Sequence, residues 1–227
     1  MARTVDAEAH ALRRDAFVDV AQRLIQNKGY ESTSIQNVID EVGASKGAFF
    51  HYFGSKAALL DAVVERLVDG AIAAVAPLVD DPGLTAAQKL QAVFAGIAQW
   101  KGERTELLVG LLRVWVSDEN AIVREKMRRR VLARLTPMLA AILRQGEAEG
   151  AFTVDSPEAD ARVLVSLVLG VNEAATELYF ARQAGEVSMS TVERTLRGYF
   201  VAFERLLGVP AGALAPLDPA LLRQWYA

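Results

Sequence analysis

Lys46, Phe50, His51, Tyr52, Ser55 and Lys56 fall within one short segment, with the small Gly47 and Ala48 beside them. Ammonium groups and hydroxyls bond phosphate oxygens, aromatic rings touch thymine methyls and sugars, and small residues let a backbone approach base edges. From Val42 to Lys56 there are lysines and no acid, so the local surface suits a polyanion. Other chemistries find little support. The 2 histidines are His10, in a polar leader, and His51, in this segment, and 0 cysteines exclude disulfides, thiolate metal sites and thiol nucleophiles. No glycine-rich phosphate loop, metal-ligand spacing or nucleophile elbow is present. The residues therefore predict no catalytic group, no metal and no cofactor, with an all-helical enzyme as the remote alternative.

The segment needs elements to hold it. Ser32, Thr33 and Ser34 can offer side-chain oxygens to the open amides of a helix starting near residue 34. Ile35, Val38, Ile39 and Val42 then recur at helical spacing and give one buried face. Gly43 permits the left-handed backbone that ends this helix, and Ser45 can cap the next. That second helix, Ser45 to about Tyr52, is too short to stand alone. Phe49 and Phe53, four apart, are expected to fasten it to the domain, and Ser55 to cap the following helix. Two short helices across a tight turn make a helix-turn-helix.

Over about its first sixty residues the chain resembles the TetR family of bacterial transcriptional regulators. Matching positions include Ala16, Phe17, Ala21, Leu24 and Ile25 of a long first helix, Gly29-Tyr30, Thr33-Ser34-Ile35, Val42-Gly43-Ala44-Ser45, Gly47, the aromatic run through Phe53, Ser55-Lys56 and Leu59-Leu60. Two departures stand out. Ile39 occupies a position where the family usually has alanine, which alters helix packing, and Phe50-His51 replaces the usual tyrosine and variable polar residue. The resemblance implies an all-α fold: an N-terminal three-helix DNA-binding domain at 1–56, a helical effector-binding and dimerisation domain at 57–208, and a tail at 209–227 with a short helix. It implies contact with double-stranded DNA through Ser34, Gln36, Ser45, Lys46, Gly47, Ala48, Phe50, His51, Tyr52, Ser55 and Lys56. Repression is expected by family habit. A DNA-binding protein of chromosome organisation, without an effector, is the alternative.

The remainder reads as successive helices. One runs from Ser55 to about Val75, ahead of a break marked by Pro77, Asp81, Pro82 and Gly83. Others run from Thr85 to Gly102, Glu103 to Ser117 with little exposed surface, and Asp118 or Asn120 to Gly146 with a kink at Pro137. The last long pair runs from Ser156-Pro157 to Gln183 and from Ser190 to Gly208, and Asp218-Pro219 can start a terminal helix. Leu164, Leu167, Val168, Val171, Leu196, Tyr199, Phe200, Phe203 and Leu207 make that pair apolar over more than one face, with Ser166 and Gly170 allowing close approach. Intramolecular packing alone would use them, and so would a symmetric homodimer with a four-helix interface, which the resemblance favours.

In similar regulators the middle helices enclose a small-molecule effector. The candidate lining residues here are Phe94, Trp100, Leu108, Leu112, Trp115, Met138, Ile142, Asn172, Glu173, Thr176 and Tyr179. Asn172, Glu173 and Thr176 are the better candidates, because polar groups on an otherwise apolar helix need partners or a function. The basic run Arg124, Lys126, Arg128, Arg129, Arg130 and Arg134 reads as a solvated face or as an anion contact. The net charge of −3 hides a neutral N-terminal part, whose residues 1–56 hold equal numbers of basic and acidic groups. The first fifteen residues do not resemble a signal peptide, and the apolar run Val163–Val171 falls short of the roughly 20 residues a membrane helix needs. A cytoplasmic protein with no membrane partner is expected.

Overall fold

Every element of the computed structural model, which describes residues 2–214 and 219–226, is helical. The elements are α1 (Ala2–Lys28), α2 (Ile35–Val42), α3 (Lys46–Tyr52), α4 (Lys56–Asp80), α5 (Ala86–Gly102), α6 (Thr105–Val116), α7 (Ala121–Ala148), α8 (Pro157–Gln183), α9 (Met189–Leu207) and α10 (Pro219–Tyr226), with a 3-10 turn at Asp118–Asn120. They form two compact units. The first is Met1–Asp69 with Arg104–Met127, and the second is Gly70–Glu103 with Arg128–Ala227. Helices α4 and α7 each pass from one unit into the other.

Local caps decide many boundaries. Ser34 accepts a bond from the Asn37 N–H while the Asn37 side chain accepts from the Ser34 N–H, a reciprocal box that starts α2. Gly43, at φ 68°, ends it in the left-handed region. The same box recurs at Thr85 and Gln88, and Ser156 with Pro157 opens α8 as the sequence predicts.

Four expectations need correction. Helix α4 runs through Pro77 to Asp80, past the expected break, while α7 runs through Pro137 as the sequence predicts and goes on to Ala148 rather than ending at Gly146. In both cases proline and the residue four before it, Ala73 or Ala133, are exposed, so the carbonyl that loses its N–H partner lies on a solvated face. Helix α9 starts at Met189 with Ser188 as cap, not at Ser190. Val187 and Val192 join one apolar cluster on either side of that cap, a hydrophobic staple that fixes the earlier start. Finally, α6 is not enclosed: Leu107, Leu111 and Val114 are buried, but Leu108, Leu112 and Trp115 are half-buried and Val116 is exposed.

In the first unit the core is Phe17, Val18, Ala21 and Ile25 of α1, Val38 and Ile39 of α2, Phe49, Phe53, and Leu59, Leu60 and Val63 of α4. The bulky Ile39 is accommodated there at 4% exposure. Helix α6 closes on α1 at Gly110, where an added Cβ would lie 2.6 Å from the Ile25 carbonyl oxygen. Only glycine permits that approach. The second unit is built around Leu90 and Val93 of α5, Leu139, Ile142 and Leu143 of α7, Leu164 and Val165 of α8, and Phe203 and Leu207 of α9. Asp218 lies outside the described residues.

Candidate DNA-binding site

Helix α3 is short, and its neighbours hold it. Ser45 Oγ accepts the Ala48 N–H at 3.0 Å, which satisfies one open amide at its start. Behind it Phe49 is fully buried, edge-on to Phe17 at 5.7 Å, and Phe53 is 3% exposed. These contacts anchor one side of α3 and leave Lys46, Gly47, Phe50 and His51 exposed, with Ala48 and Tyr52 half-buried. Phe50 is 45% exposed although apolar.

The flanking serines and lysine are already engaged. Ser34, Ser45 and Ser55 each use the hydroxyl oxygen as a cap acceptor, the last from the Ala58 N–H at 3.1 Å. Each keeps its O–H as a donor. Gln36 donates to Asp40 at 2.6 Å along α2. Lys56 Nζ lies 4.1 Å from the Tyr30 ring centroid and 3.5 Å from the Glu31 carbonyl oxygen. Burial lowers its pKa from the ordinary lysine value, with Glu31 opposing. Tyr30 beneath it is pushed up to about 12, first by burial and then by the Glu31 and Glu119 carboxylates. The aromatic face thus orients the ammonium and leaves it further N–H donors.

His10, which sequence reasoning leaves in a polar leader, belongs to this surface. Its ring lies 4.6 Å from Tyr52 and 5.6 Å from His51, with His51 and Tyr52 themselves 5.1 Å apart. Because α1 extends N-terminally past its first core residue, Phe17, His10 about two turns earlier reaches the end of α3. A signal existed in the long polar start of α1. Its spacing to residues forty positions away did not.

The expected effector residues divide between the units. Leu108, Leu112 and Trp115 are half-buried in the first. In the second, Phe94 stacks on Phe203 at 5.6 Å, Ile142 is core at 1% exposure, and Trp100 lies against Gly70. Met138 and Tyr179 are half-buried, Glu173 is exposed, and Thr176 is buried with its hydroxyl donating to the Asn172 carbonyl at 2.9 Å. The Asn172 side chain accepts from Lys101 at 2.6 Å. In the basic run, Arg124 donates to the Trp115 and Ser117 carbonyls at the end of α6, and Lys126 pairs with Asp61 at 2.9 Å.

Helix α8 is long and apolar enough by composition to cross a membrane, more so than its run Val163–Val171 suggests, yet only 22% of the apolar stretch is buried. It packs chiefly on α9, leaving Val163 and Ser166 exposed and Leu167, Val168 and Val171 half-buried.

Residues 17–63 match the family described as bacterial regulatory proteins, tetR family. The transcriptional repressor ComR of Escherichia coli is 36% identical over 56 residues, 25% of this chain and 27% of ComR. A TetR transcription regulator from Haloarcula marismortui superposes with TM-score 0.63 at 21% identity, covering 87% of this chain and 97% of that one. The structure of a SmeT–triclosan complex superposes with TM-score 0.58 at 22% identity, covering 91% and 96%. The first two curated relatives align over 18% and 32% of their own lengths, whereas the transcriptional regulator YfiR of Bacillus subtilis is 23% identical over 83% of this chain and 91% of its own length.

Proposed function

Because this chain belongs to the tetR family of bacterial regulatory proteins, we propose that it is a DNA-binding transcriptional repressor that reads a palindromic operator as a homodimer and is released by a small, largely hydrophobic effector. The observation that carries the DNA-binding reading is α3 itself. It is pinned from behind by Phe49 and Phe53 and offers Lys46, Gly47, Phe50 and His51 outward. Lys46 and the small Gly47 suit base edges in a major groove, and Tyr52, Ser55 and Lys56 suit phosphates.

Dimerisation is supported by the apolar, largely uncovered α8, on which Val163 and the small Ser166 are exposed. Two copies would set two recognition helices roughly one DNA turn, about 34 Å, apart. Repression is the role named for ComR, and a bound triclosan is the ligand named for the SmeT structure. An effector that prefers the state with wrongly spaced heads must weaken operator binding by its difference in affinity between states. Helix α4, continuous from Ser55's cap to Asp80 and shared by both units, is the natural carrier of that coupling.

Selection of bound duplexes from random DNA tests this reading. A palindromic consensus, bound by a dimer and weakened steeply between low and moderate salt, is the expected result. No sequence preference at any salt would overturn it.

A further inference from the structure

Two lysines of this chain, exposed Lys126 and buried Lys89, lie beside carboxylates. Lys126 pairs with Asp61, and buried Lys89 lies close enough to Glu149 to help lower that carboxyl's pKa. Lys101 differs. At the end of α5 its ammonium meets Asn172 Oδ1 of α8 at 2.6 Å, a neutral acceptor, and burial pushes its pKa down to about 8 with no carboxylate opposing. Glu173 and Glu177, the acids of α8 next in sequence, are exposed. Glu103, two residues after Lys101, is exposed and accepts from Gln99.

The pair has a defined surrounding. Helix α10 is tied on both sides of it, since Gln224 donates to the Gly102 carbonyl at 3.1 Å and Tyr226 donates to the Ala175 carbonyl at 3.0 Å. Leu222 and Tyr226 of α10 pack with Val192 and Leu196 of α9 and with Val171 and Ala175 of α8. A half-buried lysine therefore stands beside an apolar cluster, next to a helix of the same chain.

We infer that the Lys101 ammonium and the Asn172 amide form the polar end of a binding site for a small apolar molecule that terminates in a carboxylate. The inference deepens the effector-responsive reading and rests on it. Lysine carries three donors and Asn172 takes one, so a carboxylate can accept the others in charge-assisted bonds, while the asparagine N–H₂ donates alongside. The apolar body of such a molecule would compete with α10 for the cluster on α8 and α9. A purely structural tie between α5 and α8 would not call for a cation, because a desolvated charge without a counter-ion costs more than a packed neutral side chain returns. A cation retained at that cost beside an apolar cluster marks a candidate functional group.

The test uses the full chain, with octanoate and decanoate as probes and 1-octanol and 1-decanol as controls, followed by Trp100 and Trp225 fluorescence and by thermal unfolding. The parent should bind decanoate at least about tenfold more tightly than decanol, the factor a charged hydrogen bond supplies. Lys101→Met should lower decanoate affinity about tenfold to a hundredfold, leave decanol unchanged, and raise the unliganded melting midpoint. Lys101→Arg should retain part of the preference for the acid. Equal binding of acid and alcohol, or decanoate binding by Lys101→Met equal to the parent's, would overturn the inference. So would a fall in the unliganded midpoint of Lys101→Met matching that of Asn172→Ala, which marks a structural tie. Failure of the parent to bind any carboxylate of the series also overturns it and leaves operator binding intact. Carboxylates that bind without loosening a selected operator would instead defeat release by effector and leave the site standing.

Discussion

Replacing Gly110 by alanine should loosen the first unit by an amount that can be set in advance. The new Cβ would lie 2.6 Å from the Ile25 carbonyl oxygen, against an ordinary contact of at least 3.4 Å, so α6 must retreat from α1 by about 0.8 Å. That oxygen cannot swing aside, because it accepts the Gly29 N–H at 2.8 Å where α1 ends. Overpacking of this kind costs about 1–3 kcal/mol. The better helix propensity of alanine returns roughly 1 kcal/mol. The net expectation is a loss of up to about 2 kcal/mol. Gly47→Ala is the control within the same unit: its Cβ would meet only Ser45 Oγ, at 3.8 Å, so stability should hold or rise by up to about 1 kcal/mol. Urea unfolding followed by far-ultraviolet circular dichroism measures both. Because Phe17 of α1 backs Phe49 of α3, operator affinity of Gly110→Ala should fall as well. A Gly110→Ala protein as stable as its parent would refute the claim that backbone contact sets the α1–α6 spacing.

Four further outcomes follow from the geometry. Ser34→Ala removes one half of the α2 capping box and should cost about 1 kcal/mol of stability in the same unfolding assay. His10→Ala should weaken operator binding in fluorescence anisotropy, and His10→Phe should restore it, if ring packing against Tyr52 is what positions that side chain; no rescue would assign His10 to a direct phosphate contact. Lys46→Ala should relax base preference in duplex selection, whereas Lys56→Ala should weaken all duplexes and reduce the salt slope by about one. Between its folded pKa of about 8 and the ordinary 10.5, Lys101 is deprotonated in the folded chain and protonated in the unfolded one, so stability rises with pH across that window. Relative to Lys101→Met the gain has an upper bound of about 3 kcal/mol. Tyr226, raised to about 12, acts oppositely above pH 10 and cancels in the difference between the two proteins.

Much of this was legible in the chain because it rests on short-range chemistry. Ser34, Gly43, Ser45, Thr85 and Ser156 act on amides and carbonyls within four residues, so their residue types announce helix ends directly. Phe49 and Phe53 were legible as anchors from spacing alone. Other features depend on what lies across space. Pro77 looks like a break until the carbonyl it orphans proves to be on a solvated face. Ser188 rather than Ser190 caps α9 because Val187 and Val192 join one cluster. His10 and Lys101 gain meaning only from partners 42 and 71 positions distant, Tyr52 and Asn172, and no periodicity encodes such separations.

The first unit is written in two pieces, residues up to 69 and residues 104–127. During synthesis the groove of α1 that receives Gly110 stays open until the second piece is made, when nearly half the chain has been synthesised. An amino-terminal fragment would be born with an unfilled seam, and transplanting this head onto another regulator would require carrying α6 along with the helix-turn-helix.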